Sequence, residues 1–183
     1  MSKEEIILKL ISVFRYYGYE GATISRLSEA TGLKKASLYY HFQGGKEEMA
    51  EAVLDYVKNW LDKNIFAPLE SDQSPNDRIK EMSQTLDQFY QSGKAPCFLS
   101  VMSVGEADNI FHQQLENSLK RWIEAIAKVV EETGVKPQEA TQKAENAMML
   151  IQGSLVLVRI TKNIKPFKRA ISMLPKILLE NNL

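Results

Sequence analysis

The segment from Ile24 to Phe42 restricts the fold of this chain more than any other stretch, because two short amphipathic segments meet there at a glycine. Apolar residues recur at every third position of the first segment, which places them on one face of a helix: Ile24, Leu27 and Ala30. Thr23 suits an N-cap, and Gly32 can adopt the left-handed conformation that ends a helix. The pattern predicts a helical pair, with a second helix over residues 35–42.

The second predicted helix has an apolar inner face and a polar outer face. Leu38 and Phe42 are four residues apart and share the inner face. The outer face carries side chains that can donate hydrogen bonds to phosphates or base edges, namely Ser37, Tyr40 and His41. No acid occurs between Glu29 and Glu47, as expected of a surface that meets phosphates. These features are typical of the groove-reading helix of a helix-turn-helix.

A small surface hairpin of two helices that carries a few lysines is the alternative interpretation. Over residues 23–46 the only acid is Glu29, and the basic residues are Arg26, Lys34, Lys35 and Lys46. The charge pattern alone leaves the alternative open. The glycine turn, the apolar spacing and the acid-free outer face together favour a DNA-binding pair.

Residues from about 6 to 54 resemble the N-terminal domain of TetR-family transcriptional regulators. The matching pieces, in order, are Ile6, Leu10 and Phe14; Gly18-Tyr19; Thr23-Ile24 through Leu27; Ala30-Thr31-Gly32-Leu33; Ser37 through Phe42; and Lys46-Glu47. The link between Phe42 and Lys46 is one residue longer than in most members, because it reads Gln43-Gly44-Gly45. This Gly-Gly-Lys-Glu junction is similar to that of the drug- and flavonoid-responsive branch of the family.

The resemblance implies DNA-contact roles for eight side chains of this region. The base-facing residues it implies are Ser37, Tyr40 and His41. The phosphate contacts it implies are Thr23, Tyr39 and Lys46. Lys34 and Lys35, at the start of the second helix, are implied contacts to phosphates or bases. Lys46 also lies near the start of the next helix, whose amide groups favour a phosphate.

The rest of the chain is helical in period, so the predicted fold class is all-α with about nine helices. Outside the helical pair, the predicted segments are 4–17, 47–66, 77–91, 97–105, 109–132, 137–162 and 166–179. Pro68 is expected to end the second of these segments. We divide the chain into a three-helix DNA-binding domain at residues 1–48 and a helical ligand-binding and dimerisation bundle at residues 49–183.

Aromatic and methionine side chains of the bundle are candidates for an effector pocket, because they suit adaptable apolar cavities. The candidate residues are Phe89, Phe98, Met102, Trp122, Met148 and the polar Gln152. The alternative for each apolar residue is that it fills the core. The resemblance implies a small-molecule effector of hydrophobic or aromatic character.

The segment 147–160 is apolar almost all round, which indicates a helix buried on more than one side. A central helix of a monomeric core is a close alternative to a dimer interface. The resemblance favours a homodimer. Apolar residues of the last helix are expected to complete its interface, namely Ile171, Leu174, Ile177 and Leu178. Two recognition helices about 34–36 Å apart would then read a palindromic operator in double-stranded DNA.

Composition and residue types exclude several other classes of protein. The 23 basic and 23 acidic residues exclude an indiscriminately basic nucleic-acid coat. Cys97 is the single cysteine, and no catalytic group, metal site or cofactor is predicted from residue types and spacing. The N-terminus lacks a signal-peptide layout, and segment 147–160 is too short and too polar to span a membrane. We therefore expect a cytoplasmic protein.

Two hypotheses of function follow from these features. The first is a transcriptional repressor that a small effector releases from its operator. The alternative is an effector-independent DNA-binding protein that a protein partner controls. An enzyme is not indicated, since the sequence shows neither a nucleophile–base pair nor a phosphate loop.

Overall fold

The computed structural model describes residues 1–180, and every regular element within that range is a helix. The predicted all-α fold is therefore confirmed. Residues 181–183, the end of the second predicted domain, lie outside the described residues. The chain forms two compact units, which are Met1–Trp60 with Phe98–Leu115, and Leu61–Cys97 with the chain from Glu116 onward.

Ten α-helices occur in the described part of the chain, or nine when the short α5 is taken as the end of α4, as the sequence predicted. In chain order they are α1 (Lys3–Gly21), α2 (Ile24–Thr31), α3 (Lys35–His41), α4 (Gly45–Leu61), α5 (Ala67–Leu69), α6 (Pro75–Phe89), α7 (Phe98–Met102), α8 (Glu106–Glu131), α9 (Pro137–Thr161) and α10 (Lys165–Leu179). None of the helices in residues 1–180 has the length and apolarity needed to cross a membrane.

The first unit is built on α1, against which α2 and α7 pack. A capping box starts α1: the Ser2 hydroxyl accepts from the Glu5 amide at 3.2 Å, and the Glu5 carboxylate accepts from the Ser2 amide at 2.7 Å. Near its end α1 bends at Gly18, where φ is +68°. An added Cβ at Gly18 would lie 3.6 Å from the Val101 side chain, so α7 approaches α1 closely here.

Helices α2 and α3 form the predicted pair. The Thr23 hydroxyl accepts a hydrogen bond from the Arg26 amide at 3.3 Å, which confirms the N-cap. Gly32 ends α2 in the left-handed conformation, with φ of +73°. Leu38 and Phe42 have no exposed surface, which confirms the inner face of α3.

Helix α4 does not end at Pro68 in the expected way. The chain changes to a π-helix at Asp62–Phe66, in which the Ala67 amide bonds to the carbonyl five residues earlier, and the helical path continues to Leu69. Pro68 lacks an N–H, and in an α-helix its ring clashes with the carbonyl four residues before it. Because a π turn is wider than an α turn, the proline fits within this final turn.

The core of the second unit lies where α10 packs on α6 and α9. The largest fully buried side chains of this unit are Trp122, Tyr90, Phe66, and Phe167. Gly93 follows α6 with φ of +88°, and an added Cβ would lie 2.7 Å from the Cβ of Phe167. The close contact of this turn with α10 therefore requires glycine.

Three of the four α10 residues that we expected at a dimer interface face the core of the second unit instead. Leu174 and Leu178 have no exposed surface, and Ile171 is also buried. They form the stripe by which α10 packs on α6 and α9. The prediction is wrong for these three residues because the unit itself buries the stripe; Ile177 is half-buried.

Helix α9 exposes an apolar face of its own. Met149 is 64% exposed and Ile160 is 71% exposed, and Val156 is exposed between them. Their spacing of seven and four residues places them on one side of the helix. Gly153 lies on the same side, and no heavy atom is within 4 Å of where its Cβ would be.

Candidate DNA-binding interface

Helix α3 presents the three predicted base-facing residues on one side. Tyr40 is 80% exposed, and its ring meets that of His41 edge-on with the ring centroids 5.5 Å apart. Ser37 and His41 are half-buried. Leu38 is buried on the opposite side and anchors the helix to the first unit. The outer face is thus polar, aromatic and free of carboxylates.

The start of α3 combines two cations with uncapped amides. Lys34 is the N-cap residue, and its side chain makes no capping hydrogen bond. Lys35 follows it, and both lysines are exposed. Because the amides at a helix start carry partial positive charge, this end of α3 favours an anion.

Lys46, a predicted phosphate contact, is held against the end of α1. Its Nζ donates to the Tyr19 carbonyl at 3.2 Å and lies 3.9 Å from the centroid of the Tyr19 ring. Tyr39 lies beside the start of α4, since an added Cβ at Gly45 would be 3.3 Å from its ring. The structure therefore gathers Tyr39, Lys46 and the end of α1 in one area of the first unit.

A carboxylate that sequence reasoning missed binds at the start of α4. Glu48 accepts a hydrogen bond from the Gly44 amide at 2.8 Å and pairs with Lys3 at 3.4 Å. The hydrogen bond from Gly44 is the main cause of the lowered pKa of Glu48, and the contact with Lys3 lowers this pKa further. The acid in the first turn of a helix was the available sequence signal, because such acids complement the helix dipole. A phosphate at this helix start would meet the Glu48 carboxylate.

Arg26 is a second residue whose contacts the sequence did not reveal. One guanidinium nitrogen donates to the Gly21 carbonyl at 2.8 Å, and the guanidinium carbon lies 4.4 Å from the centroid of the Tyr17 ring. This distance is within the range of a cation–π contact. The charge of Arg26 is thus held in a defined place at the start of α2.

The end of α1 also binds the start of α8 within the first unit. Glu20 accepts a hydrogen bond from the Glu106 amide at 2.5 Å, and this bond is the main cause of the lowered pKa of Glu20. Next to it, the rings of Tyr19 and Phe111 meet edge-on at 6.0 Å. Burial raises the pKa of Tyr19, and the nearby carboxylates, first among them that of Glu47, raise it further.

The six predicted effector-site residues are divided between the two units. Phe98 and Met102 are buried in the first unit. The four in the second unit are Phe89, Trp122, Met148 and Gln152. Trp122 and Met148 are buried, whereas Phe89 and Gln152 are half-buried.

Two of the residues in the second unit, Gln152 and Trp122, have informative polar groups. Gln152 donates from Nε2 to the Sγ of Cys97 at 3.3 Å, and the Tyr90 hydroxyl lies 3.5 Å from the same sulfur. The Nε1 of Trp122 is buried and has no hydrogen-bond partner among the described residues. A buried indole N–H without an acceptor is unusual, because buried donors are almost always paired.

Two grooves in the second unit are not lined by any of the six residues. One, of about 490 Å³, lies between α6 and α10 beside Ser83 and Ile171. The other, of about 430 Å³, lies beside Arg78 and Glu132, which form an ion pair. Within residues 1–180, no group of three or more His, Cys, Asp or Glu side chains is arranged to hold a metal ion.

Two family profiles match this chain. The profile of bacterial regulatory proteins of the tetR family matches residues 2–53, and that of the LmrA/YxaF-like transcriptional regulator C-terminal domain matches residues 74–173, which is more than half of the chain. The chain belongs to the tetR family. The resemblance that residues 6–54 carried is confirmed, and all eight predicted DNA-contact residues lie inside the N-terminal match.

Two relatives of this TetR-family chain, one matched along almost its whole length and one over about a third, are transcriptional regulators by name. It is 24% identical over 181 residues to the HTH-type transcriptional regulator LmrA of Bacillus subtilis (strain 168), which covers 97% of this chain and 96% of the relative. It is 37% identical over 65 residues to the biofilm operon icaADBC HTH-type negative transcriptional regulator IcaR of Staphylococcus aureus (strain Newman), covering 34% of this chain and 35% of the relative.

Solved structures share the fold of this TetR-family protein along almost its whole length. A TetR transcriptional regulator from Legionella pneumophila superposes with a TM-score of 0.82 at 19% identity, covering 97% of each chain. A TetR-family transcriptional regulator from Agrobacterium tumefaciens gives a TM-score of 0.80 at 15% identity, also with 97% of each chain covered. The chain therefore has a TetR-like fold, and its two profile matches identify it as a DNA-binding transcriptional regulator.

Proposed function

We propose that this TetR-family regulator is a repressor that binds a palindromic operator as a homodimer and leaves it when a small hydrophobic or aromatic effector binds. The observation that carries the proposal is the exposed, acid-free outer face of α3 around Tyr40. The relative IcaR, a negative regulator by name, supports repression. The LmrA/YxaF-like match and the Gly44 to Glu47 junction support the drug- and flavonoid-responsive branch. A protein with this target is expected in the cytoplasm.

The proposed contacts divide the side chains of the helix pair into two roles. Ser37, Tyr40 and His41 read base edges in the major groove, because they share the outer face of α3. The phosphate contacts are Thr23, Lys34, Lys35, Tyr39 and Lys46. Lys46 reaches a phosphate from its place beside Tyr19 by a small movement of a long, flexible side chain.

The proposed dimer uses the exposed face of α9. Met149, Val156 and Ile160 form an exposed apolar stripe on one side of the helix, and contiguous apolar surface of this kind is typical of an interaction site. Gly153, in the same stripe, leaves room for a second helix to approach closely. A homodimer of this kind presents two α3 helices, which a palindromic operator matches.

The proposed effector site lies in the second unit and includes the four predicted residues found there, of which Trp122 carries the most specific support. Its buried indole N–H lacks an acceptor among the described residues, and an effector oxygen or nitrogen would provide one. The other three are Phe89, Met148 and Gln152. Phe98 and Met102, which are buried in the first unit, remain predictions from sequence. An effector acts only through a difference in affinity between two conformations, so its binding has to favour the form in which α4 and the recognition helices no longer fit the operator.

The test separates base reading from phosphate binding. Duplexes selected from a random library by the wild-type protein define the operator, and affinities for operator and random duplex are then measured over a series of salt concentrations. We expect Tyr40→Ala to weaken operator binding by about 5- to 150-fold and to change random binding little. We expect Lys46→Ala to weaken both equally and to reduce the salt slope by about one per phosphate contact.

Two matched variants control for surface changes that lie outside the proposed contacts. Tyr16→Ala removes another exposed tyrosine of the first unit, and Lys58→Ala removes an exposed lysine of α4. Both are expected to bind like the wild type. Equal losses on operator and random DNA for Tyr40→Ala and Lys46→Ala alike would contradict the assignment of roles.

A further inference from the structure

Arg26 is the third residue of α2, in the turn that the N-cap Thr23 begins, and its side chain is held from two sides. The bond to the Gly21 carbonyl, at 2.8 Å, uses one of the five N–H donors of the guanidinium. The Tyr17 ring covers one face at 4.4 Å. Neither a carbonyl nor a ring neutralises the positive charge, so the remaining donors and the full charge are available to an anion.

The Tyr17 ring holds the guanidinium in place. Tyr17 is 54% exposed, so the stacked pair lies at the protein surface. A planar guanidinium that is already stacked and hydrogen-bonded loses less side-chain freedom when it binds a ligand than a free one does. A flat, rigid fork of donors is the geometry that arginine uses to bind phosphate oxygens.

The position of Arg26 matches that of the proposed phosphate contact Lys46. Lys46 bonds the carbonyl of Tyr19, and Arg26 bonds the carbonyl of Gly21, two residues further along the last turn of α1. Since neighbouring Cα atoms are about 3.8 Å apart, the two carbonyl anchors lie within roughly 8 Å of each other. The two cations are therefore anchored close together at the end of α1, and Arg26 lies in the same first turn of α2 that the Thr23 hydroxyl caps.

We propose that Arg26 is a further phosphate contact of this regulator and that Tyr17 is the residue that positions it. The proposal rests on DNA binding by the α2–α3 pair and extends that surface along the start of α2. The competing role is structural: α1 has no basic residue in its last turn, and a cation at its carbonyls would stabilise the helix end. The two roles differ in whether the charge of residue 26 changes the salt dependence of DNA binding.

The experiment measures affinity for a random-sequence duplex by fluorescence anisotropy over a series of sodium chloride concentrations. We expect Arg26→Ala to weaken binding at low salt by about tenfold and to lower the slope of log affinity against log salt by about 0.9 per protomer. Arg26→Lys keeps the charge and is expected to keep most of the slope. Arg169→Ala removes an exposed arginine of α10 and is expected to leave the slope unchanged.

Variants of Tyr17 test the positioning role. Tyr17→Phe keeps the ring and is expected to bind like the wild type, whereas Tyr17→Leu removes the stack. We expect Tyr17→Leu to weaken binding several-fold while the salt slope stays near the wild-type value, because the charge is still present. A loss of affinity by Tyr17→Phe as large as that of Tyr17→Leu would overturn the positioning role.

Thermal melting of every variant separates the phosphate role from the structural one. Arg26→Ala with a wild-type salt slope and a lowered melting temperature would overturn the proposal and assign Arg26 to the end of α1. A wild-type protein that shows no salt-dependent binding to any duplex would instead refute DNA binding itself. The failure of the Arg26 assignment and the failure of the proposed function thus give different results.

Discussion

Gly93 and Gly134 have almost the same backbone conformation in different surroundings. Their φ angles are +88° and +87°. An added Cβ at Gly93 would lie 2.7 Å from the Cβ of Phe167, whereas no heavy atom lies within 4 Å of that position at Gly134. A substitution at Gly134 therefore meets only the strain of the left-handed conformation, whereas the same substitution at Gly93 also meets a steric conflict with Phe167.

We expect Gly93→Ala to destabilise the protein more than Gly134→Ala. Both variants incur about 1–2 kcal/mol of backbone strain, and Gly93→Ala adds about 1–3 kcal/mol for forcing a methyl group against Phe167. Urea unfolding measures the difference, which corresponds to about 2–4 °C in melting temperature per kcal/mol for a chain of this length. Equal losses of stability would show that the turn moves away from Phe167 at no cost.

Single residues were predictable from sequence where their role depends on near neighbours in the chain. Thr23 and Gly32 were predicted correctly, because an N-cap and a left-handed stop involve residues within one helical turn. Lys46 shows the limit: its partner Tyr19 is 27 residues away, and only the fold brings them together. The contacts of Arg26 with Tyr17 and Gly21 were missed for the same reason, since they depend on how α2 follows α1.

At the scale of elements, the first turn of α8 donates a backbone hydrogen bond to a carboxylate of another helix. Glu20 of α1 accepts the hydrogen bond from the Glu106 amide, although the two residues are 86 positions apart. Gly105 allows this approach, because an added Cβ would overlap the Glu20 carboxylate. The Glu20 carboxylate of α1 therefore satisfies an amide in the first turn of α8.

The ionisation of Glu20 predicts a pH dependence of stability. Its pKa is lowered in the folded protein, mainly by the Glu106 amide, so its contribution is complete above the ordinary glutamate pKa of about 4.3 and is lost as the pH falls through the lowered value. We expect Glu20→Gln to be less stable than the wild type at neutral pH, and the difference to shrink below about pH 4. Urea unfolding at a series of pH values measures it.

Hydrogen exchange locates the same effect. Glu20→Gln should speed exchange of the Glu106 amide at neutral pH, whereas Glu51→Gln, a change at an exposed acid of α4, should not. A stability difference between Glu20→Gln and the wild type that stays constant from pH 7 to pH 2 would mean that the carboxylate charge plays no part.

Helix existence was predictable from apolar periodicity, but helix ends were less so. The predicted segment 109–132 begins three residues earlier in the structure, as α8 starts at Glu106 beside Glu20. Pro68 was expected to stop α4, yet a π turn lets the helical path continue past it. In both cases a local rule for helix ends was overridden by a contact or a backbone geometry that periodicity does not encode.

At the scale of the whole molecule, the exposed apolar face of α9 is the surface that the proposed homodimer buries. A stable interface buries about 800 Å² on each partner, which requires an apolar patch with several large side chains. Met149, Val156 and Ile160 are such side chains, and all three are exposed in the single chain.

We expect Ile160→Glu to convert the dimer to a monomer, because two charges would be buried at the symmetric interface without partners. Sedimentation velocity measures the change in mass. Affinity for the palindromic operator should fall by at least about tenfold, whereas affinity for an isolated half-site should change little.

Leu119→Glu, at a partly exposed leucine of α8, is the control and should leave the dimer intact. A wild-type protein that sediments as a monomer at micromolar concentration would contradict the proposed assembly. A dimer that survives Ile160→Glu would instead place the interface on a surface other than this face of α9.

The all-α fold class and family membership of the molecule were predictable, since helical period and the motif at residues 23–47 are properties of the sequence alone. The composition of the two compact units was not, because the first unit combines Met1–Trp60 with Phe98–Leu115. The domains predicted at 1–48 and 49–183 remain a prediction about the division of function. The apolar patterns of α9 and α10 are equally compatible with burial inside the unit and with burial at a dimer interface. The sequence therefore could not predict which of the two stripes faces outward.

The π-helix at Asp62–Phe66 makes this part of the chain sensitive to length. A π turn holds one residue more than an α turn, so the loss of one residue here would let this turn close as an ordinary α-helix. Phe66 now packs edge-on against Trp122 with ring centroids 6.5 Å apart, and its ring lies 4.2 Å from the Arg121 guanidinium. In that α-helix the ring of Pro68 would clash with the carbonyl four residues before it, so the extra residue is what lets the helical path continue to Leu69. Evolution can therefore exchange side chains in this stretch more freely than it can change their number.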